Sequence, residues 1–132
     1  MKVLLVAPAI EKYLLKPKEK SKEVRMFRFS LLSLLTVAAC VYKEHEVSIV
    51  DEHIEYLDFN QDADVVGVSF MTGHSPRAYE IGDEFLKRGK TVVFGGFHPS
   101  FMPREAAMHC SAVVIGEAEN VFPQILQDIQ QR

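Results

Sequence analysis

Four short runs of this chain are almost entirely apolar, and this pattern constrains the fold more than any other feature. They cover residues 3–7, 65–70, 91–94 and 112–115, and a fifth run, residues 46–50, alternates apolar and polar side chains. Strands that are apolar on both faces are typical of parallel sheets covered by helices on both sides. The runs therefore predict a sheet that lies inside the molecule.

Apolar residues recur at helical spacing in three of the segments between these runs, at residues 31–42, 78–86 and 121–129. Strands that alternate with helices imply βαβ units, and right-handed crossovers turn such units into a doubly wound α/β fold. We expect a five-stranded parallel sheet of the flavodoxin-like or Rossmann-like type, with strand order 2-1-3-4-5. A length of 132 residues without repeat, linker or low-complexity tract predicts a single domain over residues 1–132.

Composition excludes several classes of partner. The net charge of -3 gives no general attraction to nucleic acid or to anionic membranes. No apolar run approaches the ~18 residues of a membrane-spanning helix, and residues 2–6 are too short for the core of a signal peptide. Cys40 and Cys110 lie among apolar neighbours, so we expect buried free thiols and a cytoplasmic location, with a disulfide as the alternative.

The segment of residues 11–28 is strongly basic and separates the first strand from the first clear helix. It holds seven of the 15 lysine and arginine residues. A loop of this length in a compact domain is usually functional or disordered. We interpret it either as a solvated surface loop or as a lid or docking surface for a partner domain.

A ligand crevice is expected where the strands end, because open α/β sheets bind ligands outside the carboxyl ends of their strands. Four loops meet there, at residues 7–9, 69–75, 95–100 and 116–120, and each is rich in glycine, proline or small hydroxyl residues. The turns at the opposite edge of the sheet are charged. This asymmetry predicts a site at one edge only.

Each polar or glycine residue in these loops has two interpretations. Gly95 and Gly96 follow a strand and either let a ligand approach the backbone or serve only a tight turn. Ser69 and Thr72 offer hydroxyl groups to a ligand, or cap the following helix. Glu117 precedes the last helix, where a carboxylate also stabilises the positive end of the helix dipole.

The sequence contains no recognisable catalytic or metal-binding motif. His74 and His98 lie in crevice loops, His45 and His109 are expected at the surface, and no pair has the spacing of zinc ligands. There is no dinucleotide fingerprint, phosphate-binding loop or G-x-S-x-G elbow. A response-regulator-like domain would need acidic residues where residues 7–9 read Ala-Pro-Ala. We therefore predict neither catalytic residues nor a metal site.

Five segments in order along the chain match a known family. Residues 2–8, 45–51, 64–69, 93–100 and 113–119 resemble the N-terminal cobalamin-binding domain of radical SAM enzymes. The most specific parts are Gly-Gly-x-His-Pro-Ser and Gly-Glu-x-Glu. Within this family the chain is similar to the anaerobic magnesium-protoporphyrin IX monomethyl ester cyclase group and to various methyltransferases.

The resemblance implies cobalamin (vitamin B12) as the cofactor and a crevice that holds its nucleotide tail between strands three, four and five. Ser69-Phe70-Met71 and Gly95-Gly96 resemble the pair of motifs that flank this tail in cobalamin carriers. The residues expected to bind the cofactor are Pro8, Ala9, Ser69, Met71, Thr72, Gly95, Gly96, His98, Pro99, Gly116 and Glu117.

The loop after strand one departs from the motif of related cobalamin carriers, and this departure narrows the expected mode of cobalamin binding. Carriers such as methionine synthase place D-x-H-x-x-G after strand one, and its histidine binds cobalt, whereas this chain has Ala-Pro-Ala-Ile there. The letters D-x-H occur at residues 51–53, but they follow strand two, and Tyr56 stands at the glycine position, so we interpret them as coincidence. The resemblance then implies cobalamin with its tail displaced and no histidine on cobalt.

The C-x-x-x-C-x-x-C motif of radical SAM enzymes is absent. The 4Fe-4S cluster and S-adenosylmethionine would therefore belong to a following C-terminal barrel domain in the same protein, from which this domain would be excised. The expected function is to position a corrinoid for that barrel, without nucleic acid or a membrane span. The alternative is a cobalamin-free substrate-recognition or docking domain of the same architecture.

Overall fold

The apolar runs form a five-stranded, all-parallel sheet in the computed structural model, which describes residues 1–10, 16 and 31–132. The strand order is β2-β1-β3-β4-β5, which confirms the predicted topology. The strands are β1 (Lys2–Ala7), β2 (Glu46–Asp51), β3 (Val65–Ser69), β4 (Thr91–Gly95) and β5 (Ala112–Val113). Apart from Lys16, the basic segment of residues 11–28 lies outside the described residues.

Helices cover both faces of the sheet. The three predicted helices are present, and two short helices that the sequence did not predict lie between β4 and β5. The helices are α1 (Leu32–Val41), α2 (Ser75–Lys87), α3 (Phe97–Phe101), α4 (Pro103–Ala106) and α5 (Val121–Gln130). No helix among the described residues is long and apolar enough to cross a membrane.

Two apolar clusters lie on opposite faces of the sheet, because successive strand residues point to opposite sides. Leu4 packs with Phe85 of α2 and Phe94, whereas Leu5 packs with Phe122 of α5. Burying a side chain of this size contributes roughly 1.5–3 kcal/mol, so the two clusters account for much of the stability of the fold.

Two predictions of exposure were wrong, those for His45 and Cys40. His45 was expected at the surface but is only 7% exposed. Its turn lies beneath the start of the sheet, where the backbone N–H of Glu46 donates a hydrogen bond to Met1 O at 3.0 Å. His109, by contrast, is half-buried against Tyr79, with ring centroids 4.2 Å apart. Cys40, expected to be buried, is exposed on the side of α1 that faces away from the sheet, while Cys110 is half-buried.

We expect a thiol reagent to modify Cys40 rapidly and Cys110 slowly at neutral pH. Burial raises the pKa of the Cys110 thiol to about 11, and its Sγ donates a hydrogen bond to Ala106 O at 3.3 Å. The thiolate is the reactive form, so Cys110 has little of it at pH 7. Peptide mapping after a short iodoacetamide pulse measures both rates, and equal labelling of the two thiols would contradict the packing around Cys110.

Candidate functional site

A cavity of about 710 Å³ opens at the carboxyl edge of the sheet and extends between the sheet and the two helices α1 and α5. Its floor includes Leu5, Gly67 and Val93, which belong to three adjacent strands, and Phe122 of α5 forms part of its wall. Its size falls within the ~300–1,000 Å³ of typical ligand pockets. The crevice that the sequence predicts is therefore also a deep pocket.

The structure brings most of the predicted site residues together around this cavity. Those that line it are Pro8, Ser69, Met71, Gly95, Gly96, Gly116 and Glu117. Four do not lie on its wall. Ala9 and Pro99 are buried elsewhere, Thr72 is exposed, and His98 is buried between helices.

His98 is held by protein partners at both ring nitrogens. Its Nδ1 lies 3.0 Å from Thr72 Oγ1, and its Nε2 lies 3.0 Å from both Tyr79 OH and Glu105 Oε1. Tyr79 OH also donates to Glu105 Oε1 at 2.6 Å. Burial and then this hydrogen bond raise the pKa of Tyr79, while hydrogen bonds from Tyr79 and His98 lower the pKa of Glu105. This network fastens α3 and α4 to α2.

The two adjacent glycines of the β4 loop have different roles. Gly96 has a φ of 98°, and a Cβ there would lie 2.9 Å from both the N and the O atom of Phe70, so the fold itself requires glycine. Gly95 has no such constraint, because its Cβ would meet only Val114 Cβ, at 3.9 Å. Gly95 therefore leaves space on the cavity wall that the protein does not need for its own packing.

Gly67, on the cavity floor, was not among the predicted site residues. It stands in the middle of β3, where a Cβ would lie 2.8 Å from Leu5 Cδ2 and 3.6 Å from Phe122 Cζ. A glycine inside an apolar strand marks a close approach by a ligand or another backbone, and this signal could have identified it. Its missing side chain lets Leu5 and Phe122 of α5 pack close to β3 at the floor of the cavity.

The mouth of the cavity is organised by Ser100. Its Oγ donates to Gly96 O at 2.8 Å and accepts a hydrogen bond from Gly116 N at 3.0 Å, which ties the β4 loop to the β5 loop. Phe97 and Phe101 also line the cavity, but they are 66% and 77% exposed. These rings therefore flank the mouth and do not fill it.

One buried polar atom of the cavity wall has no partner. Oε2 of Glu119 is buried and accepts no hydrogen bond from the described residues. A buried acceptor of this kind costs roughly 1–3 kcal/mol unless a donor reaches it. A ligand hydroxyl or amide in the cavity would supply such a donor.

Glu52 and Arg77 form a buried ion pair beside the cavity. Glu52 Oε2 lies 2.7 Å from Arg77 Nη2, and Arg77 Nε lies 3.1 and 3.2 Å from the two carboxylate oxygens. Burial lowers the pKa of Arg77, but the hydrogen bonds and charge of Glu52 outweigh this effect, so that the pKa is raised overall. The pair anchors the loop after β2 to α2.

Replacing Glu52 with glutamine is expected to lower the free energy of unfolding by about 3 kcal/mol, because it removes the buried carboxylate that pairs with the buried charge of Arg77. Urea unfolding at pH 7 measures this loss. Glu80→Gln is the matched control, because Glu80 also pairs with Arg77, with Oε2 at 3.1 Å from Nη1. The side chain of Glu80 is 53% exposed, whereas that of Glu52 is 3% exposed. The control should lose less than about 1 kcal/mol. Equal losses would contradict the account.

Comparison with known proteins decides the family. The sequence pattern of the B12 binding domain matches residues 28–126, three quarters of the chain. The chain belongs to the B12-binding domain family. A search of solved structures found the N-terminal domain of the hypothetical protein TM0182 from Thermotoga maritima, with a TM-score of 0.56, 19% identity, and coverage of 81% of this chain and 92% of that one. At this identity the likeness shows the fold alone.

Curated relatives of this B12-binding domain are much longer proteins. It is 48% identical over 87 residues, 65% of the chain, to bacteriochlorophyllide d C-8(2)-methyltransferase of Chlorobaculum tepidum. It is 37% identical over 101 residues, 74% of the chain, to bacteriochlorophyllide d C-12(1)-methyltransferase of the same organism. An uncharacterized methyltransferase, PH0819, of Pyrococcus horikoshii is 31% identical over 96% of the chain. The matches span 19%, 22% and 29% of these relatives, respectively.

Proposed function

We propose that this B12-binding domain holds a cobalamin across the carboxyl edge of the sheet, with the nucleotide tail in the cavity, for a methyl transfer carried out with a further domain. The cavity under Gly67 and Gly95 is the observation that carries the proposal. Family membership supports cobalamin as the cofactor, and the three relatives named as methyltransferases support methyl transfer.

The residues around the cavity fit a nucleotide tail. Its base is flat and apolar on both faces, and Leu5, Val93 and Phe122 offer an apolar slot at the bottom of the cavity. A Cβ at Gly95 would narrow this slot, since only Val114 Cβ lies near it, at 3.9 Å. The ribose and phosphate are polar, and they would lie nearer the mouth, where Glu119 and the loop tied by Ser100 are found.

In this proposal the chain binds the corrinoid, orients it and excludes water from the cavity. The bound corrinoid supplies the methyl-carrying chemistry, which no side chain of the described residues could supply. Ser100 holds the β4 and β5 loops at a fixed separation, and the exposed rings of Phe97 and Phe101 offer apolar contact to the macrocycle at the mouth. Glu119 would accept a hydrogen bond from the tail.

We further infer that the catalytic partner is a radical SAM barrel in the same protein, with a 4Fe-4S cluster and S-adenosylmethionine. The length of the relatives supports a further domain, since the chain matches only 19% and 22% of the two bacteriochlorophyllide methyltransferases. The sequence of the gene beyond Arg132 tests this inference. A C-x-x-x-C-x-x-C motif is expected there, and a stop codon directly after Arg132 would contradict it.

Titration of the purified chain with hydroxocobalamin tests the binding function. We expect saturable binding in the micromolar range, with one cobalamin per chain, by calorimetry and by visible absorbance. Lack of binding at high micromolar cobalamin would reject the proposal and favour the cobalamin-free docking domain.

A further inference from the structure

The helix α1 has apolar residues on its outer face as well as on the face that packs against the sheet. Its ten residues, Leu32–Val41, include none that is charged, and its buried side chains are those of Leu34 and Val41. A helix at the surface of a globular protein normally carries charged or polar residues on the side that faces away from the core. The outer face of α1 therefore has the composition of a covered surface.

Three apolar side chains form a stripe along this outer face. Leu35, Ala39 and Tyr42 follow one another at helical spacing, so they lie on the same side of the helix. All three are exposed, Leu35 at 53% and Tyr42 at 59%. We call these three residues the outer stripe. None of them lines the cavity, so the outer stripe is separate from the proposed cofactor site.

The direction of α1 places the outer stripe between the two edges of the sheet. The helix begins at the carboxyl edge, where Leu34 lines the cavity, and it ends at the amino edge, just before β2 begins. α5 lies on the same face of the sheet and runs in the same direction, from Phe122 at the cavity to its end at the amino edge. Val41 and Ile129, near the ends of the two helices, belong to the same apolar cluster.

A domain that follows α5 has to cross the height of the sheet to reach the corrinoid. The corrinoid is proposed to lie at the carboxyl edge, whereas α5 ends at Gln130, at the amino edge. The relatives have ample chain for such a return, since the matches span only 19% and 22% of the two bacteriochlorophyllide methyltransferases. A connecting segment would run antiparallel to α1, and the outer stripe lies along this route.

The size of the outer stripe favours a covalently attached segment over a second copy of the chain. A stable interface between separate proteins buries roughly 800 Å² on each partner. Three side chains on a helix about 15 Å long cover much less. A segment of the same protein needs a smaller contact, because its attachment gives it an effective concentration in the millimolar range.

We propose that the outer stripe docks the segment of the longer protein that follows Arg132, as an amphipathic helix antiparallel to α1. The apolar residues of this helix pack on Leu35 and Tyr42, and the small side chain of Ala39 lets the two helix axes approach closely. The contact fixes the route by which the further domain returns to the carboxyl edge. This inference rests on the further domain of the proposed function.

Cysteine labelling of the 132-residue chain and of the protein encoded by the complete gene tests this docking. Ala39→Cys places a thiol in the outer stripe, and Lys87→Cys places an exposed control thiol on α2, on the opposite face of the sheet. Both variants also carry Cys40→Ser. Iodoacetamide pulses at several protein concentrations, followed by peptide mapping, give the labelling rate of each thiol, and circular dichroism checks folding.

We expect Ala39→Cys to react at least about tenfold more slowly in the longer protein than in the 132-residue chain, because the docked helix must open first. Lys87→Cys should react at the same rate in both. Equal rates for Ala39→Cys would overturn the proposal. Protection that is lost on dilution would also overturn it, because a second copy would then cover the outer stripe. Protection already complete in the dilute 132-residue chain would do the same.

A shortened form that ends about 30 residues after Arg132 separates the connecting segment from the further domain, since this length holds a connection and one helix. The protection of Ala39→Cys should persist in this form, and its loss would overturn the proposal in favour of contact with the domain itself. Titration of the 132-residue chain with hydroxocobalamin tests the proposed cofactor separately. Protection without cobalamin binding would reject only the cofactor, and cobalamin binding without protection would reject only the docking.

Discussion

Replacing Gly95 with valine is expected to weaken cobalamin binding at least about 100-fold, equivalent to about 2.7 kcal/mol, without unfolding the chain. The protein leaves open the space beside Gly95, since the nearest atom to its missing Cβ is Val114 Cβ at 3.9 Å. A branched side chain there would project into the cavity that the nucleotide tail is proposed to fill. Valine also favours strands, so β4 should tolerate it.

Calorimetric titration with hydroxocobalamin measures the effect, and urea unfolding checks stability. Gly73→Val is the matched control, because Gly73 lies outside the cavity wall and nothing lies within 4 Å of its missing Cβ. The control should bind cobalamin like the unaltered chain. A folded Gly95→Val variant with unchanged affinity would mean that the tail does not enter this cavity.

Replacing Gly82 with alanine is expected to lower the free energy of unfolding by about 3 kcal/mol or more. In an exposed helix the same change would stabilise the protein by about 1 kcal/mol. At Gly82 of α2 the added Cβ would lie 2.2 Å from His109 O and 2.6 Å from Phe94 Cζ. The backbone at His109 and the core ring of Phe94 would both have to move.

Urea unfolding followed by circular dichroism measures the loss for Gly82→Ala. Gly73→Ala, in open space before α2, serves as the control and should change stability by less than about 0.5 kcal/mol. Unchanged or increased stability of Gly82→Ala would contradict the close packing of α2 on the sheet.

The sequence predicts the fold well, because the signal for a buried parallel sheet is local. The strands Lys2–Ala7 and Thr91–Gly95 stand out as apolar runs, and the pattern of alternating elements leaves few topologies. The helices between β4 and β5 were missed because Pro99 and Pro103 interrupt any periodic pattern. The predicted exposure of single residues was also wrong at His45 and Cys40, because exposure depends on which turn or helix face the rest of the chain covers.

The site was predicted only in outline. Loop composition located the carboxyl edge of the sheet, and the residues directly after the strands, such as Ser69, Gly95 and Gly116, line the cavity. The floor was missed because Leu5 resembles an ordinary strand residue until α5 is placed over it, and because the signal of a glycine inside an apolar strand, at Gly67, was not used. The hydrogen bonds that occupy His98 were equally hidden, since Tyr79 and Glu105 are distant in sequence.

The most direct test of the account compares cobalamin with cobinamide, which has the same corrin ring but lacks the nucleotide tail. Calorimetric titration of the chain with both corrinoids measures the contribution of the tail alone. We expect cobinamide to bind at least about tenfold more weakly, a loss of about 1.4 kcal/mol or more, because the apolar cavity would stay unfilled. Equal affinity for the two corrinoids would contradict the claim that the cavity beneath Gly67 and Gly95 holds the tail.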